Sequence, residues 1–319
     1  MHLGNARTAL LAWLTCRHEG GTMVLRLEDL DATRVVPGAA ERLLADLRWL
    51  GLDWDEGPDV GGPHAPYLQT QRTAAYDAAI DHLLRTGAAF PCACSRADVN
   101  RAASAPHGEA SPFDDTSAGP RYPGTCRDLP ADEVQARART AGRAPTIRFR
   151  GQTRGLATSF VDGVRGAVDP LPLPAGIDDF VIRRADGVAA YQLAVVVDDA
   201  AMNITQVVRG DDLLSSTPRQ LALYQALALT PPRFFHVPLV LSPEGDRLAK
   251  RSRPVSVADL RQRGVTADVI IGALAASANL LAPGRRATAQ DLVGSFDLGR
   301  IPIAAAALDP SQWPADPAP

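Results

Sequence analysis

Lysine is almost missing from this chain: among 319 residues Lys250 is the only one, and every other cationic side chain is arginine. Cysteine is scarce too, with four residues, three of them clustered. Four thiols, three of them clustered, read better as metal ligands than as a disulfide framework. No apolar run approaches the roughly 18 residues of a membrane span, and no charged-then-apolar signal pattern opens the chain. A cytoplasmic protein with no membrane partner is the expectation. A net charge of −3 argues against a general nucleic-acid coat but leaves room for one shaped RNA met by a local arginine patch. What is present, 46% hydrophobic and 22% charged residues, suffices for a substantial core in more than one structural unit.

Where arginine serves every generic positive charge, a retained lysine points to a job that guanidinium does badly. Lys250 sits in Ser242-Pro243-Glu244-Gly245-Asp246-Arg247-Leu248-Ala249-Lys250-Arg251. A compact charge on a flexible stem suits a loop that follows a polyphosphate through a reaction. At the other end, His2-Leu3-Gly4-Asn5 leads into an apolar helix over Ala6–Leu14 with Asn5 as N-cap. A helix N-terminus with a glycine and an imidazole can receive phosphate, although a frayed terminal histidine explains the same residues. Cys16 on that helix reads as plain core.

Further along, Thr22–Asp31 alternates as a strand and ends in carboxylates, where open α/β sheets bind ligands. Glu28 is there either to hold a substrate ammonium or to serve a solvated turn. Pro37–Leu50 and Thr73–Thr86 read as amphipathic helices. Cys92-Ala93-Cys94 and Tyr122-Pro123-Gly124-Thr125-Cys126 flank a polar stretch, Ser104–Gly119. Three thiolates suit zinc, which wants four ligands, so Tyr122 or His107 is the fourth. From Pro145 strands are expected at Thr146–Phe149, Phe180–Arg184, Ala190–Val197, Ile204–Arg209 and Phe234–Leu241. Residues 255–296 read as short helices, and the proline-rich end from about Pro302 as disordered.

These segments support a resemblance. His2-Leu3-Gly4-Asn5 resembles the HIGH signature, and Arg247-Leu248-Ala249-Lys250-Arg251 the KMSKS signature, of class I aminoacyl-tRNA synthetases. Leu25-Arg26-Leu27-Glu28-Asp29, Tyr191–Asp199 and Val207-Val208-Arg209-Gly210 are similar to glutamyl-tRNA synthetases. The Cys-x-Cys, Tyr-x-x-x-Cys pattern resembles the zinc knuckle of the glutamyl-queuosine tRNA(Asp) synthetase group, which favours Tyr122 over His107. The resemblance implies an α/β class I fold: a Rossmann-like parallel sheet in two halves (1–90 and 186–254), an inserted zinc subdomain (91–185), and a short helical region with a tail (255–319).

It also implies a monomeric, ATP-dependent ligase with magnesium and one structural zinc held by Cys92, Cys94, Tyr122 and Cys126. His2, Gly4, Arg247 and Lys250 would bind ATP, with His2, Gly4 and Lys250 catalytic. Glu28, Tyr191 and Arg209 would bind glutamate. The implied reaction is tRNA-independent glutamate activation and transfer to queuosine of tRNA(Asp). A truncated glutamyl-tRNA synthetase charging tRNA(Glu), or an inactive adenylate- or RNA-binding remnant, is the alternative. Three departures bear on this, one being that the loop Trp49–Asp59 resembles a full glutamyl-tRNA synthetase as much as the short group. The family carries an Arg-Phe-Ala-Pro-Ser-Pro-Thr-Gly strand before its HIGH signature, so a start upstream of Met1 is expected. Arg247 and Ala249 replace the usual lysine and serine.

Overall fold

The computed structural model describes residues 1–31, 33, 35–103, 122–151, 159–168, 178–243, 245 and 255–315. Helix α1 (Leu3–His18) begins three residues earlier than the Asn5 cap predicts. His2 is the N-cap: its backbone is extended and its Nδ1 accepts from Asn5 N–H at 3.3 Å. The imidazole thereby satisfies one of the donors that every helix start leaves open. Thr22–Asp31 follows as extended chain with two isolated parallel bridges, Val24 to Glu56 and Leu27 to Leu68, in place of the continuous strand expected. Helices α2 (Ala39–Trp49) and α3 (Thr73–Arg85) match their sequence pattern.

Strand β1 (Ala89–Cys92) leads into α4 (Arg96–Ala103) and α5 (Ala131–Thr140). It returns antiparallel on β2 (Thr146–Phe149). A small hairpin, β3 (Phe160–Asp162) and β4 (Gly166–Val168), precedes β5 (Val181–Arg183), which completes the β1–β2–β5 sheet. The valine-rich run expected as a buried strand is instead helix α6 (Tyr191–Ala201). A continuous apolar run has no period to tell the two apart. Here burial of Leu193, Ala194 and Val196 against the neighbouring elements overrides the modest helix penalty of valine.

Strand β6 (Gln206–Gly210), helix α7 (Thr217–Ala226) and strand β7 (Arg233–Val237) form a β-α-β crossover with β6 and β7 parallel and in register from Gln206/Arg233 to Gly210/Val237. The expected single strand Phe234–Leu241 is broken by Pro238, and the chain resumes as β8 (Val240–Leu241). Helices α8 (Val257–Gln262), α9 (Ala267–Ser277) and α10 (Ala289–Val293) follow, the first and last opened by capping boxes at Ser256/Asp259 and Thr288/Asp291. Residues 302–315 are not the disordered tail predicted: β9 (Ala306–Ala307) pairs parallel with β8, and Trp313 packs on the core. The ladder to β8, extended by Leu308 N–H to Leu241 O at 2.9 Å, and the burial of Leu308 in the core outweigh the prolines.

One core gathers α1, α2 and α8–α10 around Leu10, Leu14, Ile270 and Leu274. A second joins α3, the β1–β2–β5 sheet, α6 and α7 around Ile80, Phe149, Leu193 and Leu223. A third, small one holds Phe90, Cys92, Tyr122, Cys126 and Val134. Arg7, 1% exposed, ties the first core to the crossover: Nη1 donates to Pro238 O at 2.7 Å and Nε to Ser277 Oγ at 2.9 Å. Burial lowers its pKa to about 10.

Candidate active site

A cleft of about 680 Å³ opens between the extended segment 22–28 and β6, floored by α1 and α6. Both backbone edges border it, and among the described residues no ladder joins them. Three of the sequence-expected site residues, Glu28, Tyr191 and Arg209, line this cleft. Alternation explains the first: in extended chain Arg26 and Glu28 point to one side. Tyr191 opens α6, and Arg209 comes from the end of β6.

The electrostatics are those of a compensated polar pocket. Arg26 Nη2 lies 3.1 Å from Glu28 Oε1 and 2.8 Å from Asp199 Oδ1, with Nε 3.5 Å from Asp198 Oδ2. Burial drives the Arg26 pKa down, but the three surrounding carboxylates win and it stands above its ordinary value. Asp198 is fully buried and receives Gln69 at 2.8 Å, Arg72 Nε at 2.6 Å and the Tyr76 hydroxyl at 2.8 Å. Arg26 is thus shared with Asp198 and Asp199, while Glu28, 40% exposed, lines the cleft. Desolvation by the cleft walls raises the Glu28 pKa against the pull of Arg26. A ligand ammonium there would favour the charged form.

Arg209 is buried, and desolvation lowers its pKa despite Tyr191 and Asp199 nearby. Its Nε donates to His236 Nε2 at 2.9 Å and its Nη2 to Thr217 Oγ1 at 2.8 Å. The Tyr191 hydroxyl feels both Glu28 and Arg209, and burial raises its pKa. Sequence reading missed Arg26, Asp198 as a hub, and the His236 partner. Only Arg26 left a signal, two residues before Glu28 on the same face. Cys16, expected in the core, is half-buried on the cleft wall facing Gly21.

His2 and Gly4 stand at the start of α1. With Nδ1 accepting from Asn5, the neutral ring carries its proton on Nε2 and presents a donor outward. Burial, then the terminal ammonium, lowers the His2 pKa. A Cβ on Gly4 would meet His2 Nδ1 at 3.3 Å, so glycine lets the ring fold over the helix end. His2 bridges Ser256 antiparallel and Val257 N–H donates to Met1 O at 2.8 Å. Arg247, Lys250 and His107 lie outside the described residues. Ser256, six residues after Lys250 in sequence, is the residue that bridges His2.

The knuckle residues converge. The sulfurs of Cys92, Cys94 and Cys126 lie within 4.8 Å of one another, Cys94 and Cys126 at 3.7 Å. Two Zn–S bonds of about 2.3 Å at the tetrahedral angle separate sulfurs by about 3.8 Å, so the spacing fits that ion. The Tyr122 hydroxyl, held by Cys126 N–H at 2.7 Å, lies 3.3 Å from Cys92 Sγ and 4.0 Å from Cys94 Sγ. Burial and the neighbouring sulfurs push the Cys94 thiol up to about 12, a cost that a divalent cation removes.

Residues 1–277 match the family model of class I tRNA synthetases (E and Q), catalytic domain, and the chain belongs to that family of ligases. It is 50% identical over 303 residues to a glutamyl-Q tRNA(Asp) synthetase of Symbiobacterium thermophilum, covering 95% of this chain and 90% of that protein. To a glutamate–tRNA ligase of Halorhodospira halophila it is 43% identical over 97% of this chain but 63% of that protein. A glutamate tRNA ligase of Elizabethkingia meningosepticum, solved in complex with its amino acid, superposes with a TM-score of 0.78 at 29% identity, and the chain spans 65% of its length. None of the chain's helices, among the described residues, is long and apolar enough to cross a membrane.

Proposed function

We propose that this chain activates glutamate with ATP in the absence of tRNA and transfers the glutamyl group to the cyclopentenediol of queuosine in the anticodon of tRNA(Asp). The carrying observation is the 50% identity, over 90% of its length, to the Symbiobacterium glutamyl-Q tRNA(Asp) synthetase. In the first step the glutamate α-carboxylate attacks the α-phosphate and pyrophosphate leaves. In the second a queuosine hydroxyl attacks the mixed anhydride, forming an ester and releasing AMP. Glu28 takes the substrate ammonium, and Arg209 with Tyr191 takes a carboxylate. The His2 Nε2–H and the backbone at Gly4 receive phosphate oxygens, and Arg247 and Lys250 meet the charge that develops on the leaving group. Magnesium, bound with ATP, neutralises the phosphates. Cys92, Cys94, Cys126 and Tyr122 hold one zinc, which stiffens the knuckle and takes no part in the chemistry.

The test is ATP–pyrophosphate exchange with glutamate and no RNA, followed by transfer of labelled glutamate to tRNA(Asp) with and without queuosine, and to tRNA(Glu). Exchange without RNA that disappears in Lys250→Ala, with transfer only to queuosine-bearing tRNA(Asp), is the expected outcome. Charging of tRNA(Glu) would overturn the acceptor in favour of a glutamate–tRNA ligase. No exchange would overturn the activity.

A further inference from the structure

We propose that Asp162 and His236 are positioning residues that set the orientation of Arg209, and through it the affinity for glutamate, without touching the substrate. This rests on the reading of Arg209 as the carboxylate ligand. His236 and Asp162 are fully buried, with His236 Nδ1 2.6 Å from Asp162 Oδ2. On the far side of the ring, His236 Nε2 faces Arg209 Nε at 2.9 Å and Thr217 Oγ1 at 3.1 Å.

The hydrogen-bond chemistry admits one arrangement. A guanidinium only donates, so Nε2 accepts and bears no proton. The neutral ring then carries its proton on Nδ1 and gives it to Asp162, which fixes the tautomer. Asp162 is itself immobile: Oδ1 accepts Val164 N–H at 2.9 Å and Arg165 N–H at 2.8 Å, and its oxygens take His236 N–H at 3.1–3.2 Å. The chain of constraint therefore runs from the β3–β4 hairpin through β7 to the last residues of β6. Phe234 closes the other face, 4.9 Å below the guanidinium. Two of the guanidinium nitrogens are committed to His236 and Thr217, which leaves the group one way to face the cleft.

Asp162→Asn is nearly isosteric, and its amide can donate to Nδ1 and so push the proton onto Nε2, against Arg209. His236→Asn keeps a donor toward Asp162 but loses the acceptor, whereas His236→Gln can keep the acceptor. In the exchange assay on the full chain, Asp162→Asn and His236→Asn should raise the KM for glutamate about 10- to 100-fold, the size of a lost hydrogen bond to a charged group. The KM for ATP should stay within about two-fold, and His236→Gln should recover most of the glutamate KM. Nitrogen-15 NMR of the histidines should place the His236 proton on Nδ1 in the parent protein. A proton on Nε2, or a glutamate KM unchanged in both disabling variants while Arg209→Gln raises it, overturns the pair's role. Equal loss for glutamate and ATP, or a His236→Gln variant no better than His236→Asn, also overturns it. If Arg209→Gln itself leaves the glutamate KM unchanged, what falls is the reading of Arg209, a distinguishable failure.

Discussion

Single side chains at the seams of this molecule carry disproportionate weight. Arg7 is charged, fully buried and, among the described residues, paired with no carboxylate. Its guanidinium instead closes the backbone carbonyl exposed where Pro238 interrupts the strand. Arg7→Leu should therefore cost about 2–3 kcal/mol in urea unfolding, since it orphans buried acceptors at Pro238 and Ser277. His236 imposes a pH dependence. Desolvation lowers its pKa in the fold, outweighing Asp162. Below about 6.5 the unfolded chain takes up a proton that the folded ring declines, so stability should fall between pH 7 and 5. His2, also lowered, adds to the same window. Asp162, whose pKa the His236 bond and backbone amides depress, holds its contribution until the pH passes below about 4. Urea midpoints at pH 5.5 and 7.5 check this, and His236→Gln should flatten the slope.

At the scale of elements, two predictions separate structure from chemistry. Cys94→Ser should drop bound zinc, measured by mass spectrometry of the metal, from about one per chain toward none, because a structural site needs all its soft ligands. Glutamate exchange should survive at reduced thermal stability, since the knuckle lies in its own small core. Gly4→Ala, by contrast, should leave stability nearly unchanged, as alanine favours helix, while the methyl presses on the His2 ring 3.3 Å away. The KM for ATP should rise several-fold with that for glutamate unaltered. These elements were unevenly legible. The helices over Ala39–Trp49 and Thr73–Arg85 announce themselves by a period of 3.6. The α6 run has no period at all, and only its packing between α3 and α7 makes it a helix.

For the whole molecule, the cleft brings together the extended segment 22–28, α6 and β6, and ligands should report on that junction. Glutamate with ATP at about 100 times their dissociation constants should stabilise the chain by about 2.7 kcal/mol per site by linkage. Hydrogen exchange should slow in residues 22–28, the first turn of α6 and β6, with the knuckle strands β1 and β2 unaffected. Slowing confined to other elements would place the site elsewhere.

By itself the sequence determined the chemistry available: one lysine in a Ser-Pro-Glu-Gly-Asp-Arg-Leu-Ala-Lys-Arg segment, a histidine and glycine at a helix start, three thiols and a phenol close in sequence, and Glu28, Tyr191 and Arg209 on three separate segments. Those are local facts, carried by residue type and short spacing. Tertiary structure alone decided that Asp198 would become the hub for Gln69, Arg72 and Tyr76, and that Asp162 and His236, 74 positions apart, would lock Arg209. Such pairings depend on which buried donors and acceptors the packed core leaves without water, and a linear chain does not show which groups will lose it.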